Sequence, residues 1–133
     1  MITAVDSSVI IELLVDESGK ADSSESALRQ ARKEGSLIIC ETVLAEVAPI
    51  LGDKGDLEEF LRDWEFTFQP ASMESSILAG SLFRLYLGRG GKRGRVVADF
   101  LVGAHAQVFS NRLLTRDRGF YRDYFKGLSI WNP

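Results

Sequence analysis

The stretch Arg95-Val-Val-Ala-Asp-Phe-Leu-Val-Gly-Ala-His-Ala-Gln-Val-Phe109 is long enough for about four helical turns and is apolar on nearly every side. A helix of that composition belongs inside a domain rather than on its surface. Asp99 is the only acid in the run. An ionised carboxylate in apolar surroundings is costly unless something cationic meets it. Working outward, three more acids stand beside apolar runs. Asp6 closes the run 2–5, Glu46 lies inside 43–51, and Asp117 follows the pair Leu113-Leu114.

The flanking segments supply the fold. Residues 1–5, 37–40 and 112–115 are short, apolar and rich in branched side chains, and read as buried strands. The alternation of Phe66 and Phe68 makes a strand of 65–69, ended by Pro70, and 129–131 makes a closing one. Helical spacing of apolar residues predicts helices over 8–15, 23–34, 41–51, 56–64, 73–87, 95–109 and 118–125, with Gly35 placed as a stop signal. Strands alternating with helices predict an α/β fold: three layers, with a largely parallel central sheet of about five strands flanked by helices. With 133 residues and no long linker, the chain is expected to be one domain over 1–133.

Asp6 and Asp117 then fall where a strand ends, the carboxyl edge on which parallel sheets build their sites. Two of the acids also have a plainer reading. Asp6, in Asp6-Ser7-Ser8, reads as a helix cap. On spacing alone Glu46 is a solvent-facing helix acid. His105 lies six positions after Asp99, about 240° around an ideal helix, so the two do not share a face and a packed structural role is expected. Cys40 has no His or second Cys nearby and reads as a small core residue.

The bulk numbers narrow the class. Forty-five per cent of residues are hydrophobic, ample for a core, and no apolar run approaches a membrane span. The single cysteine excludes an internal disulfide, and together with the lack of a secretory signal pattern this points to the cytoplasm. The net charge of −3 hides an asymmetry: residues 1–76 carry 6 Lys/Arg against 16 Asp/Glu, and residues 77–133 carry 10 against 3. The basic part includes Gly88-Arg-Gly-Gly-Lys-Arg-Gly-Arg95, which lacks Walker A spacing and reads either as a cationic loop for a phosphate backbone or as a solvated loop without a ligand.

Four segments carry a resemblance: Ala4-Val-Asp-Ser-Ser-Val-Ile10, Thr42-Val-Leu-Ala-Glu-Val47, Ala98-Asp-Phe-Leu-Val-Gly-Ala-His-Ala106 and Leu113-Leu-Thr-Arg-Asp-Arg-Gly-Phe-Tyr121. In this order, and in a chain of this size, they resemble the PIN-domain ribonucleases, and among these the VapC-like toxins of type II toxin–antitoxin pairs. The resemblance implies a catalytic acidic constellation of Asp6, Glu46, Asp99 and Asp117, with Thr115 as an accompanying hydroxyl. It implies Asp6 and Asp117 on neighbouring central strands, with Asp99 and Glu46 reaching in from helices. It also implies an RNA substrate, a cognate antitoxin protein and a homodimer.

Four crowded carboxylates raise one another's pKa values, and a hard dication relieves that. Mg²⁺ suits an all-oxygen donor set, Mn²⁺ accepts the same oxygens, and the absence of a Cys/His cluster excludes structural zinc. The expected activity is metal-dependent hydrolysis of RNA phosphodiesters. Asp6 and Asp99 are the expected ligands, Glu46 completes the metal site or orients the water, Asp117 binds a metal directly or through water, and Arg89, Lys92, Arg93, Arg95, Arg116 and Arg118 hold the substrate backbone. Competing readings are a housekeeping PIN nuclease, a catalytically silent PIN-fold RNA-binding module, and a doubly wound phosphatase or phospho-receiver domain. The phosphatase is disfavoured because Asp6-Ser7-Ser8 lacks a second Asp two residues on.

Overall fold

Short apolar runs become strands here because both of their faces are covered. In the computed structural model, which describes residues 1–17, 19–92 and 96–133, five strands form one sheet: β1 (Ile2–Val5), β2 (Ser36–Ile39), β3 (Phe66–Phe68), β4 (Arg112–Leu114) and β5 (Ser129–Trp131). Their order is β3-β2-β1-β4-β5, and every pairing is parallel. Ala4, Val5, Leu37, Ile39, Leu113 and Leu114 are all buried. The expected α/β sheet of five parallel strands flanked by helices is the observed one.

The order has a consequence for function. From β1 the chain builds outward through β2 to β3, then crosses back to lay β4 on the other side of β1. The switch in direction lies between β1 and β4, where a parallel sheet opens a crevice at its carboxyl edge. Asp6 directly follows β1, and Thr115 directly follows β4.

The helices are α1 (Ser7–Val15), α2 (Ala21–Glu34), α3 (Glu41–Leu51), α4 (Lys54–Asp63), α5 (Met73–Gly88), α6 (Val96–Phe109) and α7 (Phe120–Tyr124). α6 packs against α5 and against the central strands β1 and β4. Helix starts follow local hydrogen bonds, and those of α4 and α7 differ from the sequence reading. α4 begins two residues early because the Asp53 carboxylate accepts from the Gly55 and Asp56 amides, which draws Gly55 into the first turn. α5 starts cleanly at Met73 on a reciprocal pair of Ser72 and Ser75 hydrogen bonds. α7 begins later than expected because Asp117 holds a turn ahead of it, its Oδ1 accepting from the Gly119 amide at 3.3 Å.

Gly35 does more than stop α2. A Cβ there would stand 1.8 Å from the carbonyl oxygen of Met1, the atom that accepts from the Ser36 amide where β2 pairs with β1. Only glycine permits that approach. α6 is apolar all round in sequence but not evenly buried. Phe100, Val102, Ala104, His105 and Ala106 are buried, whereas Val97 and Asp99 are exposed. The start of the helix opens onto solvent, so the environment expected for Asp99 is corrected: it is a half-open rim rather than a sealed core.

Candidate active site

The switch point is built around Asp6, only 7% exposed. The backbone there is fixed by its amide donating to the Leu114 carbonyl at 2.9 Å. As the residue preceding α1 it was open to a capping role, yet its carboxylate makes no capping hydrogen bond. Instead Oδ2 accepts from the Thr115 hydroxyl at 2.7 Å and the Ser8 hydroxyl at 2.9 Å. Thr115, fully buried, also accepts from the Asp117 amide at 3.1 Å. One hydroxyl on β4's end therefore positions both strand-end acids. Asn132 ties the same turn down, its amide donating to the carbonyls of Thr115 and Asp117, each at 2.7 Å. Ser8 was passed over in sequence because its hydroxyl looked like one of two cap residues; the Asp-Ser-Ser spacing was the available signal.

Glu46 comes from α3 and accepts from the Ser7 hydroxyl at 3.2 Å. Asp99 comes from the first turn of α6 and lines a cleft of about 550 Å³ together with Asp6, Ser7, Ser8 and Asp117. Aromatic side chains of Tyr86, Phe120 and Tyr121 form part of the same wall, a contribution that helical spacing did not announce. Glu46 is not part of the wall and reaches the group through Ser7.

The acids sense one another. Burial pushes the Asp6 carboxyl up, and Asp117 adds to it, against the hydrogen bonds from Thr115 and Ser8. Burial and Asp6 push Glu46 up. Asp99 is raised to about 6, first by partial desolvation and then by Asp6, Glu46 and Asp117. Among the described residues, no Lys or Arg forms an ion pair with any of the four. Nor do three acid, His or Cys side chains among the described residues converge closely enough for a ready-made metal cage. The donor set still fits Mg²⁺ or Mn²⁺. It is all oxygen and under-compensated in charge, and Mg²⁺ takes only one or two protein carboxylates while keeping several waters.

These shifts set a pH dependence. A carboxyl raised when folded is protonated in the native state and ionised in the unfolded chain between the two pKa values, so folding is favoured at the acid end. For Asp99 the interval runs from 3.8 to about 6. The metal-free protein is expected to lose stability as pH rises through that interval and then level off. Asp99→Asn should flatten the slope and raise the melting temperature at pH 7. Thermal melts from pH 4 to 8 in EDTA check it; a parent that gains stability across the interval would contradict the coupling.

Arg116 is not free for a substrate. Its guanidinium donates to the carbonyls of Pro133 and Lys20, both at 2.9 Å, and to the hydroxyls of Ser23 and Ser24, both at 2.7 Å. It staples α2 and the C-terminal residues to the β4 turn, which corrects its expected place among the backbone-binding cations. Arg89, Lys92 and Arg118 are exposed, and Arg89 lies over the Tyr124 ring at 5.5 Å. Arg93 and Arg95 fall at 93–95, outside the described residues. His105 is buried with its Nε2 2.7 Å from the Gln69 carbonyl oxygen, and Cys40 is buried, both in the structural roles expected of them.

The family model of the PIN domain matches residues 3–126. The chain belongs to the PIN-domain family. Solved structures similar to this PIN domain include a chain of VapBC2 from Rickettsia felis bound to a DNA fragment from their promoter, with a TM-score of 0.79 and 20% identity over 100% of this chain and 99% of that one. VapBC-1 from nontypeable Haemophilus influenzae gives a TM-score of 0.69 and 15% identity, covering 99% and 98%. FitAcB from Neisseria gonorrhoeae gives 0.65 and 18%, covering 100% and 98%. At these identities the likeness is one of fold. No curated protein matches this PIN domain by sequence. Among the described residues, no helix is long and apolar enough to cross a membrane.

Proposed function

We propose that this PIN domain, one domain over 1–133, is a metal-dependent endoribonuclease that acts as the toxin of a type II toxin–antitoxin pair. One observation carries the reading. Asp6, Asp99 and Asp117 line one cleft at the switch point of the sheet, burial and neighbouring acids push the Asp6 and Asp99 carboxyls up, and no Lys or Arg among the described residues is ion-paired to them. A fold gains nothing from that arrangement unless a cation joins it.

A bound Mg²⁺ or Mn²⁺ supplies charge compensation, polarises a phosphoryl oxygen and makes a water acidic enough to react near neutral pH. Asp6 and Asp99 hold the ion. Thr115 and Ser8 fix the rotamer of Asp6, so the ligand is oriented before the ion arrives. Glu46, held by Ser7, completes the metal site or orients the attacking water, and Asp117 binds directly or through water. Exposed Arg89, Lys92 and Arg118, with Arg93 and Arg95, hold the RNA backbone. The VapBC neighbours favour a cognate antitoxin as the partner that covers this cleft, and the same reading carries a homodimer in the cytoplasm.

The test is cleavage of cellular RNA by purified, antitoxin-free protein in Mg²⁺ or Mn²⁺ against EDTA. Metal-dependent cleavage that weakens as salt rises is the expected result. A folded, metal-loaded protein that leaves total RNA intact and does not slow growth on expression would sink the proposal.

A further inference from the structure

The floor of the cleft holds a donor without an acceptor. Tyr121 is 1% exposed, and its hydroxyl oxygen is buried with no hydrogen-bond partner among the described residues. Buried polar atoms are seldom left so, and an orphan in a cleft calls for a reason. Its ring is wedged against Phe120 at 5.3 Å and Phe125 at 6.1 Å, so the hydroxyl cannot swing out to water. Phenylalanine would fill the same volume; the oxygen is the only addition. Burial, and after it Asp6, Asp99, Asp117 and Glu46, hold this phenol far above its usual range. It is a permanent neutral donor facing a group of acceptors.

The acids differ in how far they are already committed to hydrogen bonds. Oδ2 of Asp6 already takes two hydroxyls. Asp117 takes the Gly119 amide. Glu46 is occupied by Ser7 and stands outside the cleft wall. Asp99 lines the same cleft as Tyr121, is exposed and free to turn, and among the described residues accepts no hydrogen bond. A buried hydroxyl and a carboxylate that have no hydrogen-bond partner among the described residues line one cavity.

We propose that Tyr121 is a positioning residue of the cleft, its hydroxyl being the donor that fixes the Asp99 carboxylate once a cation draws the acids together. The inference rests on the metal-dependent reading above and adds a group outside the four acids. It acts on the ion through Asp99 and touches no substrate. Partners of this kind typically change metal affinity by about tenfold or more.

The experiment is Tyr121→Phe in the full chain, with Mn²⁺ alone as the probe. In EDTA the variant should melt at the parent's temperature or above, because an unpartnered buried hydroxyl has been removed. Its Mn²⁺ affinity by calorimetric titration should fall about tenfold. In the Mg²⁺-loaded protein, the substitution should shift the side-chain carboxyl carbon resonance of Asp99 more than those of Asp6 and Asp117. Unchanged Mn²⁺ affinity, a lower metal-free melting temperature, or a largest shift at another acid would each overturn the assignment. A parent that binds Mn²⁺ and cleaves RNA beside an unaltered variant ends this inference alone. A parent that does neither ends the nuclease proposal and this inference with it.

Discussion

Asp6→Asn is expected to remove RNA cleavage by a factor on the order of 10³, the scale lost when a preorganised electrostatic group is deleted from an active site, while leaving the fold intact. The second half of that expectation makes the experiment decisive. Asn presents a carbonyl oxygen where Oδ2 now accepts from Thr115 and Ser8, so both hydroxyls keep a partner. It carries no charge, and burial now works against the charged form of Asp6. The metal-free variant should therefore be at least as stable as the parent at pH 7, since removing a buried, uncompensated charge relieves desolvation. Metal-induced stabilisation should shrink in the same variant, because a ligand that binds only the folded state stabilises it by an amount that grows with the logarithm of its affinity. The signature is a protein that melts higher without metal, gains less from Mn²⁺ and does not cut RNA. Cleavage within tenfold of the parent by a folded variant would remove Asp6 from the chemistry.

The strand-end acids were legible in the sequence for a reason that Glu46 does not share. Asp6 directly follows one short apolar run and Asp117 stands three residues past another, so a parallel sheet carries them to its carboxyl edge whatever the helices do. Their closeness then needs only that β1 and β4 be neighbours, which they are. Glu46 lies on α3, where its role depends on the angle at which that helix meets Ser7; spacing alone gives it to solvent, and it is indeed exposed. Arg116 failed for the opposite reason. A guanidinium beside a catalytic acid looks available in one dimension, but its four hydrogen-bond acceptors come from residues 20–24 and from Pro133. Contacts of that sequence separation leave no local pattern. Tyr121 was invisible as a polar residue because its ring satisfies every core criterion, and the hydroxyl's isolation appears only once its surroundings are known. Helix starts were misjudged wherever a carboxylate tightened the turn before them, as Asp53 and Asp117 do.

Phe100→Ala is the substitution expected to cost most stability. The side chain is fully buried, and five aromatic rings stand around it: Phe120 at 4.8 Å, Tyr124 at 5.3 Å, Phe83 and Tyr86 at 5.6 Å, and Phe125 at 6.2 Å. Truncation removes the shared partner of all five, and rings wedged against one another cannot collapse into the space. The loss should be about 3–5 kcal/mol, which for a chain of this size lowers the melting temperature by roughly 10–20 °C. Phe100→Leu, which keeps much of the volume, should lose far less. The effect should also reach the cleft. Phe100 follows Asp99 on α6, and its neighbours Tyr86 and Phe120 line the wall that Asp99 shares. One residue of the pair anchors the helix inward; the other projects into the acid group. Loosening the anchor should weaken Mn²⁺ binding even at temperatures where Phe100→Ala remains folded, and Phe100→Leu should restore most of it. If Phe100→Ala melts within about 3 °C of the parent, roughly the shift of a 1 kcal/mol change, the aromatic cluster is not what holds α6 in place.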